Sequence, residues 1–312
     1  MFISHISALE FWRKHRALPE ERAERLTKIT LPNTPPTTGQ VRRTGLTLPV
    51  HITICSPIAR WLSKTMQQHV LTDKVIPGCF LEVKDGLWVS SPEFCFLQMA
   101  GFLSLAQLIE LGYEICGEYS LPVANDPNPP DRGFYYRKQL TSINRIGKFL
   151  ANMPGAKGCQ KAKRALRYLN ENSASPMETK LSILLTLPYL LGGFGLIAPE
   201  LNSRITPSKT ERISTSKNFY TCDLFWPEYN LAAEYDSVQH HTGSNHINSD
   251  AKKKNSLILM GVTVITVTKQ QLYRTRELEK VARILATRMG KRLRFKKNSF
   301  YKTHRELRKQ LF

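Results

Sequence analysis

Acidic residues are scarce in this chain. Of its 312 residues, 45 are Lys or Arg and only 25 are Asp or Glu, a formal net charge of +20. That imbalance does not bear on fold, but it favours polyanionic partners, nucleic acid first and an anionic membrane surface second. The chain also lacks any CxxC pair. Its six cysteines, Cys55, Cys79, Cys95, Cys116, Cys159 and Cys222, are scattered, which argues against a zinc ribbon. Most lie among apolar residues and read as buried thiols, pointing to a reducing compartment and hence a cytoplasmic location. Met1-Phe2-Ile3-Ser4-His5 lacks the basic and then apolar stretches of a signal peptide. Leu181 to Ala198 is uncharged and close to spanning length. Pro188 and the glycines at 192, 193 and 195 interrupt it, so it reads as a buried helix ending near Leu187, a turn, and a strand from Gly195 to Ala198. No membrane association is expected, and no internal repeat is evident.

What is present divides the chain into an N-terminal domain over 1–165, a second domain over 166–290 and a basic tail over 291–312. In the first, Ser7 to Arg16 reads as a short amphipathic helix with Ser7 as its cap, and residues 31–40 as loop. Strands are predicted over Leu48 to Ile54, Cys79 to Val83 and Leu87 to Ser90, the last two forming a hairpin about Asp85-Gly86. Ser91-Pro92-Glu93 starts a helix, another runs from Ser104 to Leu111, and residues 121–133 form a Pro-rich loop. Helices follow over Thr141 to Asn152 and Gly158 to Asn170, the second with a basic face. The second domain has the order α-β-β-β-α-β-α: a helix from Ser175 to Leu187, strands at Gly195 to Ala198, Phe219 to Phe225 and Leu231 to Asp236, a helix from Asp250 to Met260, a strand from Val262 to Val267 and a helix from Gln270 to Met289. Residues 283–312 carry eleven Lys or Arg against Glu306 alone, which is about half the net charge in a tenth of the chain.

The few acids that matter fall in this second half. Asp223 sits in a strand-like run, and Glu234 and Asp236 share one face of the next. Trp226 to Asn230 reads as the turn between them, so an antiparallel pair would bring the three carboxylates together. Glu178 could reach them from the preceding helix. Hard cations such as Mg²⁺ or Mn²⁺ take oxygen ligands of this kind, polarise a phosphate and lower the pKa of bound water. The plainer alternative is surface acids paired with nearby Lys; small or apolar neighbours at Cys222, Leu224, Ala232 and Ala233 count against it.

In that order the residues resemble the PD-(D/E)XK nuclease superfamily, and more closely its branch of very-short-patch-repair endonucleases. The matching positions are Glu178, Asp223, Pro227, Glu234, Asp236, His240, Asp250, Lys253, Leu257, Gly261 and Thr268, covering about a third of the chain. The chain departs from the branch pattern at Ser237 for Gly, Lys253 for Arg and Thr221 for Arg. The superfamily's signature Lys is replaced by Asp236, so its role would pass to Lys252, Lys253, Lys254 or His240. The resemblance implies a restriction-endonuclease-like mixed sheet flanked by helices, beside a separate α+β N-terminal domain. It implies Mg²⁺-dependent hydrolysis of DNA phosphodiesters, with Asp223, Glu234 and Glu178 as metal ligands. Asp236 and His240 would serve in proton transfer or water positioning, and Lys253 would steady the phosphate. More loosely, the first half is similar to AbiEi-type antitoxin and regulator proteins.

Around the acids, His240, His241 and His246 form a polar loop, in which His240 could act as a general base near neutral pH. Lys252 and Lys254 are candidate phosphate contacts, as are Arg292, Arg294, Lys296 and Lys297 of the tail. Phe295, Phe300 and Tyr301 interleave with the tail charges and could stack on bases or pack onto the domain. The function expected is that of a metal-dependent DNA endonuclease without a small-molecule cofactor, an assembly that a homodimer would suit. The rival is a non-catalytic DNA-binding regulator that kept the fold.

Overall fold

A computed structural model describes residues 1–17, 29–57, 63–71, 75–84, 86–213, 217–236 and 244–312, with backbone alone at 213, 244–250 and 297. These form two units, Met1–Leu169 and Asn170–Phe312, so the boundary falls a few residues beyond the expected 165. Each unit mixes helices and sheet, as anticipated.

The first unit runs β1 (Phe2–Ile3), α1 (His5–His15), α2 (Thr38–Arg42), β2 (Val50–Ile54), β3 (Met66–Val70), β4 (Phe80–Lys84), β5 (Leu87–Ser90), α3 (Pro92–Met99), α4 (Leu105–Ile115), β6 (Tyr119–Ser120), β7 (Tyr135–Tyr136), α5 (Ile143–Ala151) and α6 (Cys159–Leu166). Its main sheet has the order β3-β2-β1-β5-β4. Ser91 and Ser104 cap α3 and α4 through bonds from Phe94 N and Gln107 N, each 3.2 Å, as such residues do at helix starts. Helix α1 starts at His5, not Ser7. The Ser7 hydroxyl instead accepts from His51 N at 2.9 Å. The expected loop over 31–40 contains the start of α2, where Thr37 and Gln40 form a reciprocal cap. A buried ion pair joins α1 to α4: Arg13 Nη2 lies 2.7 Å from Glu114 Oε2.

The second unit runs α7 (Pro176–Thr186), β8 (Glu200–Ile205), β9 (Tyr220–Trp226), β10 (Leu231–Asp236), α8 (Ser244–Leu259), β11 (Thr263–Thr268), α9 (Lys269–Tyr273), α10 (Thr275–Arg288) and α11 (Lys297–Leu311). Its sheet order is β11-β10-β9-β8. The pairs β8/β9 and β9/β10 are antiparallel; β10/β11 is parallel, with α8 as the crossover that parallel strands need. Helix α7 packs on β9 and β10, burying Leu181, Ile183, Leu184 and Leu185.

The second unit departs from expectation in three places. No strand forms at Gly195 to Ala198; the fourth strand is β8, an edge strand in which only Leu201 is fully buried, so its sequence shows no alternation of apolar and polar residues. The helix expected over Gln270 to Met289 is broken at Arg274, whose backbone is extended at φ −104° and ψ 116°. The supposed tail is structural. Helix α11 buries Phe300, Leu307 and Leu311; the rings of Phe295 and Phe300 stand 4.0 Å apart, and Phe300 lies 5.3 Å from Phe194. Its His304 Nδ1 bonds the Gly192 carbonyl at 2.6 Å. Gly192 has φ +90°, and a side chain there would meet the Thr303 carbonyl at 2.7 Å. This turn therefore requires glycine.

Candidate active site

The acidic positions come together through strand register. The turn after β9 is one helical turn over Pro227–Tyr229, closed by Asn230 at φ +44°, a left-handed conformation that Asn tolerates better than most residues. It pairs Leu231 with Trp226, Ala232 with Phe225 and Ala233 with Leu224. Glu234 and Asp223 are the next residues along each strand. Asp223 Oδ2 accepts from Tyr235 N at 2.8 Å, so the carboxylate is fixed against the backbone of β10.

Asp223 and Glu234 open into one cavity of about 320 Å³, shared with Asp236, Lys253, Lys254 and Thr266. Helix α8 supplies the cations because Leu257, fully buried, anchors the helix face on which Lys253 and Lys254 lie one turn earlier. Lys253 Nζ stands 2.5 Å from Glu234 Oε2. Lys252 is exposed and does not line the cavity.

Glu178 arrives from α7 by way of its helix cap. Ser175 Oγ accepts from Glu178 N at 3.2 Å. Glu178 Oε2 reaches back to accept from Ala174 N at 2.9 Å and also accepts from Asn202 Nδ2 at 2.7 Å. Its side chain is buried and is not among the residues lining the cavity. Asn202, on the unanticipated strand β8, was not foreseen as a partner; an isolated Asn in a polar run carries no signal of that role.

Burial first, and crowding of carboxylates second, set the electrostatics. Burial, then Glu234 and then Glu178 hold the Asp223 carboxyl well above its ordinary range, against Lys253 and the Tyr235 N–H. Burial raises Glu178 too; its hydrogen bonds oppose this and Glu234 adds to it. Burial alone would depress Lys253, but Glu234 and Asp223 outweigh it, so the ammonium is kept charged. The Cys222 thiol, pushed up to about 12 by burial and then by Glu234, stays protonated and inert. Among the described residues Glu234 Oε1 is buried without a hydrogen-bond partner, a position that suits a cation or a donor.

Of the other expected residues, His240 and His241 lie outside the described residues, as does the side chain of His246. Arg292, Arg294 and Lys296 are exposed between α10 and α11, and the side chain of Lys297 lies outside the described set. Phe295 and Phe300 pack into the unit instead of standing free for bases. The ligand atoms of Glu178, Asp223 and Glu234 do not all fall within 4.8 Å of one another; among the described residues the one group that does is His5, His51 and His69. Sequence reading missed that group because its members are far apart and in no motif.

The crowding predicts a stability signature. A carboxyl whose folded pKa lies above its unfolded value stabilises the fold fully at low pH and loses that contribution as pH rises through the folded pKa. Asp223→Asn removes the charge but keeps an acceptor for Tyr235 N. The variant should melt higher than wild type at pH 7 by about 2–4 °C, the shift that about 1 kcal/mol produces in a domain of this size. The gain should shrink toward pH 4. Melting curves of both proteins at the two pH values check this; equal midpoints at pH 7 would contradict the crowding.

In comparisons with known proteins, the chain matches no family model, and neither a curated protein nor a solved structure matches it.

Proposed function

We propose that the second unit is a metal-dependent DNA endonuclease, using Mg²⁺ or Mn²⁺ to hydrolyse phosphodiesters. The observation that carries this reading is the pair Asp223 and Glu234, presented by adjacent strands into one cavity with Lys253 against Glu234. The donor set suits a hard cation: carboxylate oxygens, one of them buried without a partner among the described residues, and a second acid whose charge is resisted by burial and by its neighbours. When bound, the ion supplies Lewis-acid polarisation of the phosphate and a more acidic water.

The residues then divide the work. Asp223 and Glu234 would hold the ion. Glu178, held by Ala174 and Asn202, is the third acid, keeping negative potential at the site from α7. Asp236, at the cavity wall, positions water. Lys253, paired with Glu234 at the cavity wall, would take the place of the signature Lys and offer its ammonium to developing negative charge. Lys254 at the rim, with exposed Lys252, Arg292, Arg294 and Lys296, neutralises backbone phosphates, which makes affinity fall with salt. Lys253→Met is expected to lower the cleavage rate about 10²–10³-fold, the usual cost of one preorganised electrostatic contact, with DNA affinity nearly unchanged. Initial nicking rates and filter binding on the same preparations test this, and an unchanged rate would remove Lys253 from the chemistry.

The function test is nicking of supercoiled plasmid and cutting of linear DNA with Mg²⁺ or Mn²⁺, against chelator and the acid-site variants. The Lys253–Glu234 ion pair favours one second reading: a regulator in which the internal ammonium has replaced the metal. Salt-dependent DNA binding without metal-dependent nicking would support that reading.

A further inference from the structure

The first unit holds a second cluster, which the nuclease reading does not use. His51 on β2 and His69 on β3 share one sheet face, because the parallel register pairs His51 with Gln67 and Thr53 with His69. His5 follows β1, the strand on the other side of β2. Their ligand atoms all lie within 4.8 Å of one another. His69 Nε2 is 3.0 Å from His51 Nδ1. Two nitrogens on a tetrahedral zinc ion at about 2.0–2.1 Å stand about 3.3–3.4 Å apart, so these two need open by only a few tenths of an ångström.

The surroundings hold the third ring in place. His5 has the rare left-handed backbone, φ +52°, and its N–H donates to Gln98 Oε1 at 2.9 Å. His5 Nδ1 lies 2.9 Å from Ser4 Oγ; with the hydroxyl accepting from Nδ1–H, Nε2 carries the lone pair, the outer-partner arrangement that orients metal-bound imidazoles. The His5 ring now stacks on His69 at 3.6 Å, with the edge of Phe102 at 5.4 Å, so sharing an ion with His69 requires the His5 ring to tilt out of that stack. Among the described residues, no carboxylate belongs to the cluster.

We propose that His5, His51 and His69 form a binding site for one divalent transition-metal ion, with Zn²⁺ as the best fit and a fourth position open to water. Three imidazoles without a carboxylate suit zinc and its neighbours and not Mg²⁺ or Ca²⁺. The open position would face the adjoining cavity of about 410 Å³, which His5 and His69 line with Gln98 and Lys157. Burial, then His69 and His51, lowers His5 to about 2, and burial lowers His51 as well.

The test uses the full chain carrying Asp223→Ala and Glu234→Ala, so that the acidic site does not bind the added ion. After loading with Co²⁺ and gel filtration, about one equivalent should remain, with the intense visible absorption of a four-coordinate ion. His51→Gln and His69→Gln, each in that background, should weaken retention at least about tenfold. Retention equal in the His variants, or no retention in the parent, overturns the site. Should the His variants fail to fold, diethyl pyrocarbonate labelling of the unaltered chain decides. Zn²⁺ should protect His5, His51 and His69 together while His15 keeps its reactivity; unchanged labelling of the three overturns the site.

Discussion

The Asp223→Ala/Glu234→Ala variant should leave plasmid DNA supercoiled where the unaltered chain nicks it. On the proposed reading both carboxylates hold the ion, and losing it would remove transition-state charge stabilisation worth several kcal/mol. About 4 kcal/mol corresponds to about a thousandfold in rate. The loss should not come from unfolding. Removing two crowded acids relieves the burial cost and the repulsion that raise Asp223, and Lys253, already partly exposed, can extend its ammonium to water. Initial nicking rates in Mg²⁺ and Mn²⁺, with melting curves on the same samples, separate the two effects. Equal rates in variant and wild type would trace the cleavage to another source and end the enzymatic reading. Absence of cleavage in both, with salt-sensitive binding kept, would favour the regulator.

Ending the chain at Lys296 should unfold the second unit. The deletion removes Phe300, Leu307 and Leu311, all buried. Burying such a side chain contributes about 1.5–3 kcal/mol, so the three together reach about 5–9 kcal/mol, against a typical total stability of about 5–15 kcal/mol. The His304 bond to Gly192 and the Arg308 bonds to the carbonyls of Leu272 and Tyr273 go with them. Loss of one cooperative melting transition and rapid proteolysis of residues 170–296 would register the result. The single change Phe300→Ala should cost about 3–5 kcal/mol. A dispensable basic tail would behave otherwise: the truncated chain would melt like the full one and lose only salt-dependent DNA affinity.

That contrast shows where sequence reading succeeds. Local chemistry carries far: Ser91-Pro92 and Ser175-Pro176 start α3 and α7 as read, because a capping hydroxyl and a proline at the first turn act within a few residues. The strand from Leu231 to Asp236 has the predicted bounds, and its apolar first half and acidic end already suggest that one end is built for packing and the other for a site. Elements whose stability comes from distant partners stay hidden. Strand β8 is polar because it is an edge strand, and β3 exists only as a partner for β2. Helix α11 reads as a solvated basic stretch until Phe300 and Leu307 meet their partners.

The sequence by itself determined the charge, the order of helices and strands around the acids, and the turn that places Asp223 near Glu234, since each depends on composition or on contacts between near neighbours. Tertiary structure alone decided that Lys253, and not Lys252, faces Glu234, and that Glu178 bonds Asn202. It alone gathered His5, His51 and His69 into one cluster. The physical reason is that helix phase and strand pairing convert distance along the chain into proximity in space, and nothing in the intervening residues records the outcome.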